Sequence, residues 1–292
     1  MISGKTFRSS CSLHRDIRHP SGNTQLNQNE LIFHQIIRQH TGCASYIIGS
    51  SETGKCILVD PPMDAERFES FLREKKLEPS AAVDTHTHAD HLSGLRNVAS
   101  LYPKAILAMH ESAPTQFPIT KLTEGDLLQQ LRLDEIFSAS VKVLYTPGHA
   151  TDHICLLFQG EGLPRLLSGD CLFIGDVGRT DLGRGDTDLM YNSLFHKLLS
   201  LDSRTEVYPA HVGAKHFLAT EKVKTQIGYE RDTNPAVQVK SIDEFRKYMT
   251  EGWPPKPPFY QEIIDINLGK ISLLDVQEEI IQANPSLQHS RA

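Results

Sequence analysis

Residues 85–91 read Thr85-His86-Thr87-His88-Ala89-Asp90-His91. They put three imidazoles and a carboxylate into seven positions directly behind the apolar run Ala81-Ala82-Val83, where a strand would end. Side chains alternate faces in an extended segment, so His86 and His88 leave the strand end on one side. The tightening chain then swings Asp90 and His91 toward the same space. Imidazole binds zinc, iron, copper and nickel, and a carboxylate biases the set toward harder divalent ions, which puts zinc, iron and manganese first. A polar surface turn accounts for a lone histidine but not for this density, so the run is read as part of a metal site.

Three further ligand types follow apolar runs. Val141-Lys142-Val143-Leu144-Tyr145 reads as a strand running into the turn Thr146-Pro147-Gly148-His149. Leu166-Leu167-Ser168-Gly169-Asp170 repeats the arrangement with a carboxylate, and Val207-Tyr208-Pro209-Ala210-His211 repeats it with a histidine. Singly, His149, Asp170 and His211 read as capping or core polar residues. Together their shared strand-then-ligand order predicts four strand ends converging on one edge. Such a set can hold two zinc ions that generate a hydroxide for hydrolysis, or one iron with the remaining side chains as spectators.

Taken in order, HxHxDH, PGH, GD and PAH resemble the metallo-beta-lactamase superfamily over most of the chain. Gly175-Asp176-Val177-Gly178-Arg179-Thr180-Asp181 resembles the Gly-Arg-Thr-Asp segment of persulfide dioxygenases, also called sulfur dioxygenases. Ile227-Gly228-Tyr229-Glu230-Arg231-Asp232-Thr233-Asn234-Pro235-Ala236, and Pro257-Pro258-Phe259-Tyr260 before Ile266-Asn267, are similar to the bacterial branch in which this domain is fused to rhodanese.

The resemblance implies an α/β (α+β) fold, the four-layer αββα sandwich, with a metal at one edge between two face-to-face sheets. It implies His86, His149 and Asp170 as ligands of one Fe(II) per chain, a facial set leaving three octahedral positions for water, dioxygen and the substrate sulfur. The implied reaction oxidises a low-molecular-weight thiol persulfide with O2 to sulfite and free thiol. His88, Asp90, His91 and His211 become pocket residues or ligands of a second metal; Asp90 and Arg179 are the catalytic candidates, and Arg179 and Thr180 the substrate-binding ones. Two alternatives stand beside this reading. One is a glyoxalase II type thioester hydrolase with two zinc ions or a mixed zinc and iron pair; the other is a non-catalytic metal-binding or sulfide-sensing module.

Departures from the pattern bear on the substrate. The glutathione-specific branch has an Asp-Tyr pair after the PAH histidine and an arginine after the Asn-Pro, where this chain has Val212-Gly213 and Ala236. A coenzyme A persulfide or another thiol persulfide fits the lost contacts at least as well as glutathione persulfide. Arg184, Lys215 and Arg231 are further charged candidates, each also readable as a solvated surface charge. Cys171, beside Asp170, is expected to pack as a small hydrophobe. His153 is expected at a strand edge, and His110, His196 and His216 as structural or exposed residues.

The elements that must position these groups follow from periodicity. Leu31-Ile32-Phe33, Tyr46-Ile47-Ile48 and Cys56-Ile57-Leu58-Val59-Asp60 read as antiparallel strands. Amphipathic helices are predicted over Asp64 to Lys75, His91 to Tyr102 and Thr187 to Leu201. Periodicity alone licenses a mixed α and β domain. The organisation expected is a polar tail over 1–30, a catalytic domain over 31–250, and a Pro-rich linker with a short helix over 251–292. In that last part Ser272 to Ala283 has Leu273, Val276 and Ile280 inward. No cysteine follows Cys171, so the persulfide is expected from a separate sulfurtransferase or other donor.

Composition agrees with a globular protein: 292 residues, 39% hydrophobic and 23% charged. A net charge of -6 argues against nucleic acid as partner, and no apolar run is long enough to cross a membrane. Five scattered cysteines form no disulfide framework, which predicts a reducing compartment. A cytoplasmic location is expected, or a mitochondrial one if the basic, serine-bearing stretch Met1 to Pro20 is a transit peptide. A homo-oligomer is compatible with all of this.

Overall fold

A computed structural model describes residues 31–38, 42–133, 137, 140–160, 162–212, 223–272, 275–276 and 278–283. The polar segment 1–30, Lys215, His216 and Leu273 lie outside them. One sheet runs in chain order: β1 (Leu31–Ile37), β2 (Ala44–Ser50), β3 (Lys55–Val59), β4 (Glu78–Val83), β5 (Ile106–His110) and β6 (Thr120–Leu122). The first three are antiparallel, as expected, and β3 to β6 are parallel. The second sheet runs in reverse chain order from β12 (Thr225–Gln226) through β11 (Glu206–Pro209), β10 (Arg165–Gly169), β9 (Ile154–Gln159) and β8 (Ser140–Tyr145) to β7 (Gly125–Asp126). Only β10 and β11 are parallel there.

Side-chain alternation sorts each strand between two cores. Tyr46, Ile48, Ile57, Val59, Ala81 and Val83 face Val141, Val143, Ile154, Leu156, Phe158 and Leu167 between the sheets. The intervening residues Ile47, Cys56, Leu58 and Ala82 turn outward against Phe68 and Leu72 of α1 (Glu66–Lys75) and Leu95 and Val98 of α2 (Leu95–Leu101). On the far side, Cys155, Leu157, Leu166 and Val207 meet Met190, Leu194 and Leu198, together with Ile227 and Phe245. The result is the expected αββα sandwich. Strands buried on both faces have no solvent side, which is why Cys56–Val59 and Ile154–Phe158 are apolar throughout.

Two predicted helices change in the structure. The helix expected from His91 begins only at Leu95: Ser93 pairs in a bridge with Pro62, its hydroxyl binds Asp84 and caps the amide of Leu95, and a Cβ at Gly94 would overlap the Pro62 carbonyl. Leu92 keeps its burial from a loop rather than a helical face. The pattern from Thr187 is one apolar stripe carried by an α-helix (Thr187–Asn192), a π-helical turn (Ser193–Lys197) and a 3-10 turn (Leu198–Ser200). At the carboxyl side, a helix unforeseen from periodicity, Tyr260–Asn267, packs Ile263 and Ile266 on Leu92 and Met63, joined by Val276 and Ile280. Of the helix expected over Ser272 to Ala283, Glu278–Ala283 is helical. Among the described residues, no helix is long and apolar enough to cross a membrane.

Candidate metal centre

The four strand ends meet at one edge, and their ligands sort into three groups. His86 after β4, His149 after β8 and Asp170 after β10 form the innermost, buried group. Asp170 Oδ2 lies 3.6 Å from His149 Nε2 and 4.0 Å from His86 Nε2. His211, after β11, joins from outside through Nδ1, 2.9 Å from Asp170 Oδ1. Asp170 therefore presents one oxygen inward and has the other engaged.

Each inner ligand is oriented by a neighbour. His149 Nδ1 donates to the carbonyl of Arg179 at 2.8 Å, which leaves Nε2 as its free lone pair. Nδ1 of His86 lies 3.0 Å from Thr85 Oγ1, and its buried Nε2 has no protein hydrogen-bond partner. Burial, reinforced by His88 and His149, holds His86 well below the ordinary histidine range, so it is a neutral imidazole. The Asp170 amide donates to His153 Nε2 at 2.9 Å. Burial opposes ionisation of Asp170, but the charge and hydrogen bond of His211 outweigh it and bring the carboxyl to about 2. Two imidazole nitrogens and one carboxylate oxygen, with the His86 nitrogen a buried polar atom otherwise orphaned, fit a divalent cation.

His88, in the middle of the motif, turns elsewhere. Its Nε2 lies 3.2 Å from Asp60 Oδ1, within a group of Asp60, Asp84 and His88. Burial pushes His88 down, yet the Asp60 hydrogen bond and charge carry it up to about 9; its other ring nitrogen, Nδ1, is buried with no protein hydrogen-bond partner. Asp60 also accepts from the Thr85 amide at 2.7 Å and from its hydroxyl. It has a left-handed φ of 49°, a conformation Asp adopts more readily than most residues. The outer group is Cys43, Asp90, His91 and His211. Asp90 accepts from His211 Nε2 at 2.9 Å and from His91 Nδ1 at 3.0 Å, and these partners hold it well below the ordinary range against burial. Cys43 Sγ is 3.3 Å from both Asp90 Oδ2 and His211 Nε2. Burial and Asp90 push its thiol up, but His211 and His91 bring it down to about 6.

The segments that resemble persulfide dioxygenases act as scaffold. A Cβ on Gly178 would overlap the Asp170 carbonyl, so only glycine lets this strand of chain lie against the ligand loop. The Arg179 side chain, expected at the substrate, is held here by other partners. Its guanidinium pairs with Asp181 at 2.7 Å, reaches the carbonyls of Pro254 and Pro255 at 3.2 Å, and lies over Trp253; what it gives the site is its own carbonyl. Thr180 is likewise committed, its hydroxyl 2.6 Å from that of Thr187. Asp90, expected to be catalytic, stands in the outer group and is hydrogen-bonded to the inner one through His211. Buried Glu230 accepts from the Gly175 amide and Asn234 Nδ2, and Asn234 donates to the Asp176 carbonyl, so the run Tyr229 to Pro235 anchors the loop after Asp170. Arg184 bonds Asp152, Thr151 and Thr87 beneath the histidine loop, while Arg231 caps carbonyls of Leu199 and Leu201 away from it. Cys171 is packed against Met190, and His196 is exposed.

Sequence reasoning passed over Asp60, Asp84, Asn267 and Cys43. Asp60 and Asp84 each close an apolar strand, the same signal that marked Asp170. Asn267 stands in the Ile266-Asn267 pair noted above, and its side chain donates to the carbonyls of His88 and His91 at 2.9 Å. Cys43 precedes a strand instead of ending one, and no local pattern singles it out.

Comparison with known proteins agrees with this geometry. The family model described as metallo-beta-lactamase superfamily matches residues 39–211. A hydroxyacylglutathione hydrolase of Francisella philomiragia is 34% identical over 155 residues, 53% of this chain and 58% of that protein, so the chain spans little more than half the length of that relative. The mitochondrial persulfide dioxygenase ETHE1 of Bos taurus is 29% identical over 230 residues, 78% of this chain and 84% of the relative. The crystal structure of ETHE1 from Myxococcus xanthus superposes with a TM-score of 0.72 at 27% identity, covering 82% of this chain and 99% of that one. On the matched model, the shared sandwich and the ligands gathered at its edge, the chain belongs to the metallo-beta-lactamase superfamily.

Proposed function

We propose that this chain is an iron-dependent persulfide dioxygenase, taking a low-molecular-weight thiol persulfide, R–S–SH, and O2 to sulfite and the thiol R–SH, with one water supplying the third sulfite oxygen. The observation that carries the reading is the grouping of His86, His149 and Asp170 apart from the other candidate ligands, with His88 Nε2 engaged by Asp60. Two imidazoles and one carboxylate leave coordination positions open for two reactants, which a site closed by a fourth protein ligand would not. The likeness to persulfide dioxygenases over most of both chains supports the same reading.

Fe(II) bound there would bring dioxygen and the persulfide sulfur together and accept and return electrons between them. The protein's part is to hold and orient. His86 and His149 offer ring nitrogens, their rings fixed by Thr85 and the Arg179 carbonyl. Asp170 stays ionised, its backbone pinned by His153 and its outer oxygen by His211. Asp90 acts as a positioning residue that holds the far nitrogen of His211.

A thioester hydrolase of the glyoxalase II kind is the second reading, favoured by the outer group of donors and by the likeness to hydroxyacylglutathione hydrolases. The two separate cleanly. Anaerobically purified chain should carry one iron and consume oxygen with glutathione or coenzyme A persulfide, releasing sulfite. Iron-loaded chain that leaves oxygen untouched yet cleaves a glutathione thioester would transfer the assignment to the hydrolase.

A further inference from the structure

Arg184 lies outside the ligand motifs, yet its guanidinium has four protein acceptors. Nη1 donates to Asp152 Oδ2 at 3.2 Å and to Thr87 Oγ1 at 3.3 Å, and Nη2 to Thr151 Oγ1 at 2.7 Å and to the Ser112 carbonyl at 3.2 Å. Asp152 is closed off from solvent, and its Oδ2 also accepts from the Thr87 hydroxyl. Thr87 stands between His86 and His88, and Thr151 and Asp152 stand between His149 and His153. The backbone that carries Arg184 is fastened to the same place: the Asp186 amide donates at 2.7 Å to the carbonyl of Gly148, the residue before His149, and a Cβ on Gly185 would overlap the Thr180 carbonyl.

These contacts cross from one sheet to the other. His86 follows β4 of the first sheet and His149 follows β8 of the second, so no strand ladder runs between the two ligands. A backbone bond from the Ile154 amide to the Thr85 carbonyl, at 2.8 Å, joins their segments on one side of His86. The guanidinium joins them again at Thr87, on the other side of His86. A planar guanidinium with its donors in a rigid fork spaces acceptors on two segments, which a flexible ammonium does not. We propose that Arg184 is a positioning residue for the inner metal group: by tying Thr87 to Asp152 and Thr151 it sets the gap between His86 and His149 across which an ion is held. The proposal deepens the reading of that group as a metal site and rests on it, but not on the reaction assigned to it. Oxygen uptake tests the dioxygenase; ligand geometry tests Arg184.

Cobalt(II) titration of the full metal-free chain reads the inner group without any turnover, because the visible ligand-field bands that the wild type develops and His149→Ala lacks belong to it. Arg184→Lys keeps a cation beside buried Asp152 but loses the fork. Its inner-group bands should shift, and its cobalt affinity should fall about 10-fold or more, the loss expected when a group that orients a ligand is removed. Thr87→Val leaves the pair of Arg184 and Asp152 in place and cuts only the link to the histidine loop. It should shift the same bands, and it decides the matter should Arg184→Lys not fold. A role in stability alone would lower the melting temperature and leave bands and affinity where they are. That result in either variant, or a wild type with no inner-group bands, would overturn the proposal.

Discussion

His153 looks like one more ligand and is instead the peg that sets one. Its Nε2 accepts the Asp170 amide, so its proton is on Nδ1, facing Thr146 Oγ1 at 2.9 Å. Burial, then His149, brings it down to about 4. Because the folded state holds a lower pKa than the unfolded chain's 6.5, the stabilisation from neutral His153 is complete above about pH 6.5 and is lost as pH falls through about 4. Other groups titrate in the same window, Asp84 among them at about 6, so the readout is a difference. In denaturant titrations of metal-free protein, the stability gap between wild type and His153→Gln should narrow by about 3 kcal/mol from pH 7 to pH 4. A gap independent of pH would refute this role.

At the scale of elements, the site depends on pieces that arrive late in the chain. The helix Tyr260–Asn267 buries Ile263, Ile264 and Ile266, and its last residue reaches under the histidine loop. Asn267 donates to the carbonyls of His88 and His91 and accepts from the Ser93 amide at 3.0 Å, satisfying three backbone groups of a loop that has no ladder of its own. Asn267→Ala leaves them unpaired in a nearly closed space. Stability should drop by about 2 to 3 kcal/mol, and metal affinity by about 10-fold or more, because the carbonyls held are those of motif residues. Calorimetry and metal titration would show both; a variant with unchanged melting and affinity would mean the loop is held without the helix. The stretch before this helix, expected as a stiff linker, is tied down as well, by Arg179 on the Pro254 and Pro255 carbonyls and Lys256 on that of Asp181.

For the whole molecule, the inner ligands come from both layers of the sandwich: His86 follows a strand of the first sheet, His149 and Asp170 strands of the second. An ion bound to all three links the sheets at one edge, and anything that binds only the folded state stabilises it by mass action. With free metal at about 100 times its dissociation constant the gain is about 2.7 kcal/mol, which for a chain of this size raises Tm by about 5 to 10 °C. Chelation of the iron-loaded wild type should reverse the rise, and His149→Ala should show neither rise nor reversal. Equal melting temperatures with and without metal in the wild type would contradict the linkage.

The strand ends were legible because they follow local rules: period-two burial makes β4, β8, β10 and β11 readable as apolar runs, and a polar residue just past such a run has to face the sheet edge. The sandwich followed from the same runs once the motif order was matched to a family. The start of α2 was not legible, since Leu92 has helical spacing and only Pro62 packed on Gly94 delays the helix. Nor was the division of ligands. His86 and His88 are two residues apart, yet one faces the inner group and the other Asp60, a choice made by a carboxylate 28 positions away from His88. Cys43 meets His211 across 168 positions. The chain's local chemistry thus decided which residues could bind a metal, and packing between distant segments decided which of them stand together, because a side chain's direction is set by the neighbours that close around it.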